Sequence, residues 1–136
     1  MDAKISSYIE NIVKNDTGAS ESSIREVQAQ IGFKLPPDYI DLMKKFNGGE
    51  GEVGKNGWLC LFPIEDLIVT NKDYQLLMQQ IPDYFLFGKD AADTGYAFHK
   101  IRQTVHSFGL ISDFKTDPIE FCGDSFSDFI EYIYNQ

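Results

Sequence analysis

The chain has 136 residues, 43% of them hydrophobic, with 21 Asp and Glu against 12 Lys and Arg and a formal net charge of −9. That length bounds one domain around one core, and 11 Phe with 7 Tyr make it a core of large rings. The charge argues against nucleic acid or an anionic membrane as direct partner, since both would repel it, and no apolar run approaches the ~20 residues of a membrane span.

Ile5, Tyr8, Ile9, Ile12 and Val13 recur at helical spacing and predict an amphipathic first helix, broken over Asn15–Gly18. Met1 is followed by Asp2 and Lys4 with no apolar stretch of a secretory signal, so the cytoplasm is the expected compartment. Ser20 is a candidate N-cap for a second helix, with Ser23 and Glu26 offering a competing capping box. Ile24, Val27 and Ile31 form its inward stripe and Gly32 its stop. Pro36 and Pro37 open a third helix, because proline fits the first turn, where its missing N–H has no partner anyway. Tyr39, Leu42, Met43 and Phe46 give that helix one apolar face, and Asn47, Gly48 and Gly49 end it.

Residues 48–57 hold five glycines with Glu50, Glu52 and Lys55, and read as a glycine-rich loop. Trp58–Phe62 is a short apolar run between Gly57 and Pro63, the pattern of a buried strand. Pro63, Glu65 and Asp66 start another helix, with acids where the helix dipole favours them. Asn71–Ile81 continues as helix until Pro82. Tyr84–Gly88, Tyr96–His99, Thr104–Phe108 and Ile119–Cys122 read as strands of an antiparallel meander, with Leu110–Phe114 a possible continuation. Lys89–Gly95 is a turn-rich connection. Asp124 is the expected cap of a C-terminal helix carrying Phe126, Phe129, Ile130, Ile133 and Tyr134. Helices first, consecutive strands next and a helix last predict a single α+β domain over residues 1–136, with a central antiparallel sheet covered by helices on one face. The expected core includes Leu35, Tyr39, Met43, Trp58, Leu61, Phe87, Phe121, Phe129 and Ile133.

Read together, Ile24, Glu26, Ile31-Gly32, Leu35-Pro36-Pro37-Asp38-Tyr39 and Phe46-Asn47-Gly48-Gly49 resemble the signature of the SUKH superfamily. The resemblance continues through Leu61-Phe62-Pro63-Ile64-Glu65-Asp66-Leu67, Asn71, Phe87-Gly88 and Ser125–Ile130, covering roughly residues 20–132. The superfamily takes in a yeast cell-wall regulator and many bacterial immunity proteins paired with secreted toxins. The resemblance implies an α+β binding domain without known catalysis, and does not identify the partner.

Chemistry-bearing residues are few in kind. His99 and His106 fall on neighbouring strands, and with Cys60 and Cys122 they permit a mixed zinc site on paper. No C-x-x-C, H-x-x-H or H-E-x-x-H spacing supports one. Asp90 and Asp93 lack the alternating ligand pattern of a calcium loop. The 48–57 segment lacks a P-loop's Lys-Ser or Lys-Thr, and its two acids would repel phosphate. Both cysteines sit among large apolar neighbours, which suits reduced core thiols better than an activated nucleophile. Neither a cofactor, a metal nor a catalytic residue is expected.

Three functions compete: an immunity protein that blocks a toxin domain, a regulatory scaffold like the yeast branch, and an enzyme using carboxylates or the Cys/His set. The first is preferred, with a basic, nuclease-type toxin domain as cognate partner. The candidate contact residues are the acids Glu50, Glu52, Asp90, Asp93, Asp113 and Asp117, with Trp58 or Tyr96 as aromatic anchor.

Overall fold

A computed structural model describes residues 2–15 and 17–136. Met1, at the expected signal-free start, and Asp16, within the expected Asn15–Gly18 break, lie outside the described residues. Among the described residues six α-helices, α1 (Ala3–Tyr8), α2 (Glu21–Ile31), α3 (Pro37–Lys45), α4 (Leu67–Asp73), α5 (Gln75–Met78) and α6 (Phe126–Tyr134), accompany one sheet. Its seven strands are β1 (Ile12–Lys14), β2 (Gly49–Val53), β3 (Gly57–Leu61), β4 (Tyr84–Lys89), β5 (Thr94–His99), β6 (Val105–Gly109) and β7 (Glu120–Gly123). They lie side by side in chain order, every neighbouring pair antiparallel. The α+β architecture with helices at both ends of the chain is as the sequence predicts.

Most of the core lies on one face of the sheet, here called inner. Side chains from α1, α2, α3 and α6 bury it together with Phe85, Phe87, Tyr96, Phe98, Val105 and Cys122 from the strands. At its centre the Tyr39 ring meets Phe87, Phe98 and Phe126 edge-on, at centroid distances of 5.8, 4.9 and 5.3 Å. Phe87 and Phe98 are stacked at 4.1 Å, and Phe129 closes the cluster against Phe87 and Tyr96. One residue before Tyr39, the Asp38 carboxylate accepts from the backbone N–H and the hydroxyl of Ser127, at 2.9 and 3.0 Å. Packing and hydrogen bonding thus fix the start of α3 to the start of α6.

The outer face is not bare, as a sheet covered on one side would be. Leu77, Met78 and Ile81 pack there on Leu86, Ala97, Phe108 and Leu110. This second cluster covers only the middle of the face. Phe121, expected in the core, projects beyond it and is 55% exposed, because the edge strand β7 turns Cys122 inward instead. Side chains alternate along a strand, so the choice between these neighbours decides everything about their burial. Trp58 is half-buried rather than a core residue, since it too lies on the outer face while Leu59 and Leu61 point in.

Several expected boundaries move. The first helix ends at Tyr8; Ile9 and Ile12 are buried as predicted, but Ile12 belongs to a strand paired with Gly51. The expected 48–57 loop is the β2–β3 hairpin, with Glu50 opposite Cys60 and Glu52 opposite Trp58; only residues 54–56 turn. Gly48, at φ +87°, supplies the left-handed step into it. Ser20, not the Ser23–Glu26 box, caps α2, and Gly32 ends it in the left-handed conformation. The 71–81 helix breaks at Tyr74 into α4 and α5. Residues 110–114 do not extend the sheet. Ser125 rather than Asp124 caps α6, accepting from the Asp128 N–H.

Asn71 shows how a side chain completes the sheet. Strand β3 pairs with β4 only at Cys60–Lys89 and Leu61–Gly88, which leaves buried Leu86 beyond its reach. The Asn71 amide takes that place: its Nδ2 donates to the Leu86 carbonyl at 2.8 Å, and its Oδ1 accepts from the Leu86 N–H at 2.9 Å. We expect Asn71→Ala to cost about 2 kcal/mol in urea denaturation, since it strands two buried backbone groups. Asn71→Asp should cost a similar amount, because a carboxylate cannot donate to the carbonyl. Wild-type stability in both variants would contradict this role.

Candidate functional site

Strand polarity sorts the eight candidate contact residues into two groups. Glu50, Glu52 and Trp58 lie together on the outer face of the β2–β3 hairpin. The Trp58 indole N–H donates to the Glu50 carboxylate at 2.9 Å. Cys60, opposite Glu50 and half-buried, has its thiol pushed up by burial and then by Glu50, with Lys89 opposing. Burial likewise raises the Cys122 thiol, so neither cysteine is a ready thiolate near neutral pH.

The other five, Asp90, Asp93, Tyr96, Asp113 and Asp117, gather at one end of the sheet. The β4–β5 turn and the β6–β7 connection both fall there, tied together by the Leu110 N–H donating to the Asp93 carbonyl at 2.7 Å. Asp90 and Asp117 line an open cleft of about 510 Å³ between these two connections and the end of α6. Its floor is a rung of the sheet: Tyr96 on β5 faces Ser107 on β6, which faces Glu120 on β7. Tyr132 and Gln136 form the α6 wall, and Ile111 stands on the rim, 87% exposed. The lining includes no Lys or Arg.

The acids differ in what they already do. Asp90 Oδ1 accepts from the Ala92 and Thr94 N–H groups and so shapes its own turn. Asp113 and Asp117 brace the 113–117 turn, Asp113 Oδ1 accepting from the Lys115 N–H and Asp117 Oδ2 from the Asp113 N–H. Lys89 stands beside the cleft but spends its ammonium on the Asp90 carbonyl at 3.0 Å. Among the described residues, the ion pairs join Lys4 to Glu131 and Lys44 to Glu21, leaving the cleft acids without one. Burial raises the Tyr96 pKa above its ordinary value, with Asp90, Cys122 and Tyr132 adding to the shift, so this phenol stays protonated.

Glu120, Tyr132 and Ser107 are site residues that sequence reasoning missed. Glu120 had a signal, since period-two spacing puts it on the same face as Cys122. Tyr132 had none, because it falls off the apolar stripe of α6 and only the tertiary fold carries it to the cleft. The two histidines come together elsewhere, on the outer face, with ring centroids 6.4 Å apart and Tyr84 edge-on to both. His99 Nδ1 accepts from the Ile101 and Arg102 N–H groups, and His106 Nε2 lies 2.8 Å from the Thr104 hydroxyl. Among the described residues no group of three or more His, Cys, Asp or Glu side chains is placed to hold a metal ion. No helix among them is long and apolar enough to cross a membrane.

The model of the SMI1 / KNR4 family (SUKH-1) matches residues 18–132, and the chain belongs to that family. No curated protein sequence matches the chain.

Burial, then His99 and Arg102, lower the His106 pKa. The unfolded chain therefore protonates here first, from about pH 6.5 downward. The contribution of His106 is fully present above that pH and is lost as pH falls toward its lower folded value. We expect His106→Gln to flatten the acid side of a stability–pH profile relative to wild type. Parallel profiles would contradict it.

Proposed function

We propose that this protein is a cytoplasmic immunity protein that binds the toxic domain of a cognate secreted toxin and blocks it by direct contact, without catalysis of its own. The observation that carries the reading is the acidic cleft, where three carboxylates and two phenols converge with no cation among the lining residues. A basic domain of the nuclease type is the partner such a surface favours, since an enzyme acting on a polyanion presents positive charge. Family membership supports a binding role and is equally compatible with the regulatory scaffold reading.

Charge of this kind speeds encounter and rejects wrong partners more than it sets affinity. The holding energy comes from aromatic and apolar groups at the centre of the contact; exposed Tyr132 and Ile111 are available for that, while the Tyr96 ring, proposed as an anchor from the sequence, is already buried in the core. Glu50, Glu52 and Trp58, on the outer face of the β2–β3 hairpin, lie apart from this contact. A stable complex would bury on the order of 1,600 Å² in all.

Co-expression with a toxin gene neighbouring this one should rescue growth and yield a complex in pull-down. Raising the salt should slow association, and Glu120→Lys with Asp117→Lys should slow it by about tenfold or more at low salt. Absence of rescue and of complex with every neighbouring toxin domain would favour the scaffold reading.

A further inference from the structure

The cleft has more specific chemistry than a negative patch. Its acids come from three directions: Asp90 from the β4–β5 turn, Asp117 from the β6–β7 connection and Glu120 from the sheet. Tyr96, between them, is only 5% exposed as a residue and lines the cleft, and its hydroxyl makes no hydrogen bond within the protein among the described residues. The ring packs edge-on against Phe129 at 4.8 Å, which fixes its place in the cleft wall. That oxygen is not sealed in the interior, so it opens on the cleft, where solvent or a ligand can bond it. The cleft also lies at the C-terminal end of α6, where the aligned peptide dipoles add partial negative charge.

We propose that this cleft is a receptor for one arginine side chain presented by a protein partner, a refinement that rests on the binding reading above. A guanidinium has five N–H donors in a planar fork and no acceptor. It suits acceptors arriving from several sides: the free oxygens of Asp90 and Asp117, the Glu120 carboxylate and the Tyr96 oxygen. Its plane stacks on an aromatic face, which Tyr132 offers, and its aliphatic stem suits the apolar rim at Ile111. A lysine ammonium brings the same charge as a compact point with three donors, and cannot meet so many acceptors spread around a wide opening. The volume, about 510 Å³, is within the range of small-ligand sites and exceeds what a lone ion needs.

The test uses the full chain and three capped residues as probes in a two-dimensional amide NMR titration: N-acetyl-arginine methylamide, its lysine counterpart and its citrulline counterpart. Citrulline keeps the shape of arginine and lacks the charge. The arginine probe should shift amides around Thr94, Tyr96, Ser107 and Glu120, with the lysine probe weaker by about tenfold and the citrulline probe silent. Tyr96→Phe, which keeps the ring packing, and Glu120→Gln should each weaken the arginine response while leaving the remaining spectrum in place. Scattered shifts, equal responses to arginine and lysine, or an unchanged response in both variants would overturn the proposal. A toxin complex that survives Tyr96→Phe and Glu120→Gln unweakened would also overturn it while leaving the immunity reading intact. Arginine seated in the cleft with no toxin partner found would do the reverse.

Discussion

The docking of Tyr39 into the ring cluster of Phe87, Phe98 and Phe126 is the contact on which the rest of this structure depends. A meander of short strands has little holding it flat: each strand sees only its chain neighbours, and both edges are open. Its inner face must therefore be buried by helices distant in sequence. Tyr39 brings α3 onto β4 and β5, and Asp38 beside it bonds Ser127 at the start of α6, so one dipeptide orients two of the covering helices. The Tyr39 hydroxyl, buried and without a partner among the described residues, adds nothing to this by hydrogen bonding. Shape and area hold the ring in place.

The acidic end follows from the same topology. In an antiparallel meander, alternate connections emerge at the same end of the sheet, so the β4–β5 turn and the β6–β7 connection cannot avoid each other. Both carry acids. The β5–β6 connection emerges at the opposite end and carries Lys100 and Arg102 instead. The two connections beside the cleft and the β5–β6 connection thus differ locally in the charges they carry.

The fold was legible where a residue's neighbours in sequence are also its determinants. Ser20 and Gly32 bracket α2 because a capping hydroxyl and a left-handed glycine act within one turn, and Pro37 opens α3 for the same local reason. The errors fall where distant pairing decides. Ile12 fits a helical stripe, but β2 is available to pair with it, and the longer-range bond wins. Residues 49–53 hold too much glycine to look like a strand, yet β3 and β1 flank them on both sides. Phe121 and Cys122 are equally good core residues by composition; the register of β7 against β6 chooses between them. The candidate site behaves likewise. Turn acids such as Asp90 and Asp117 could be picked out because turns are solvent-facing. Their meeting with Glu120 and Tyr132 could not, since that requires the strand order and the direction of α6.

The proposed partner would seat on the cleft end rather than on the outer hairpin face. Hydrogen–deuterium exchange on a complex with the toxin domain proposed as partner tests this most directly. Slowed exchange should appear in residues 90–96, 107–112 and 117–120, with residues 101–104 at the opposite end unchanged. Protection confined to the hairpin around Glu50 and Trp58, or to the 101–104 turn, would contradict the account.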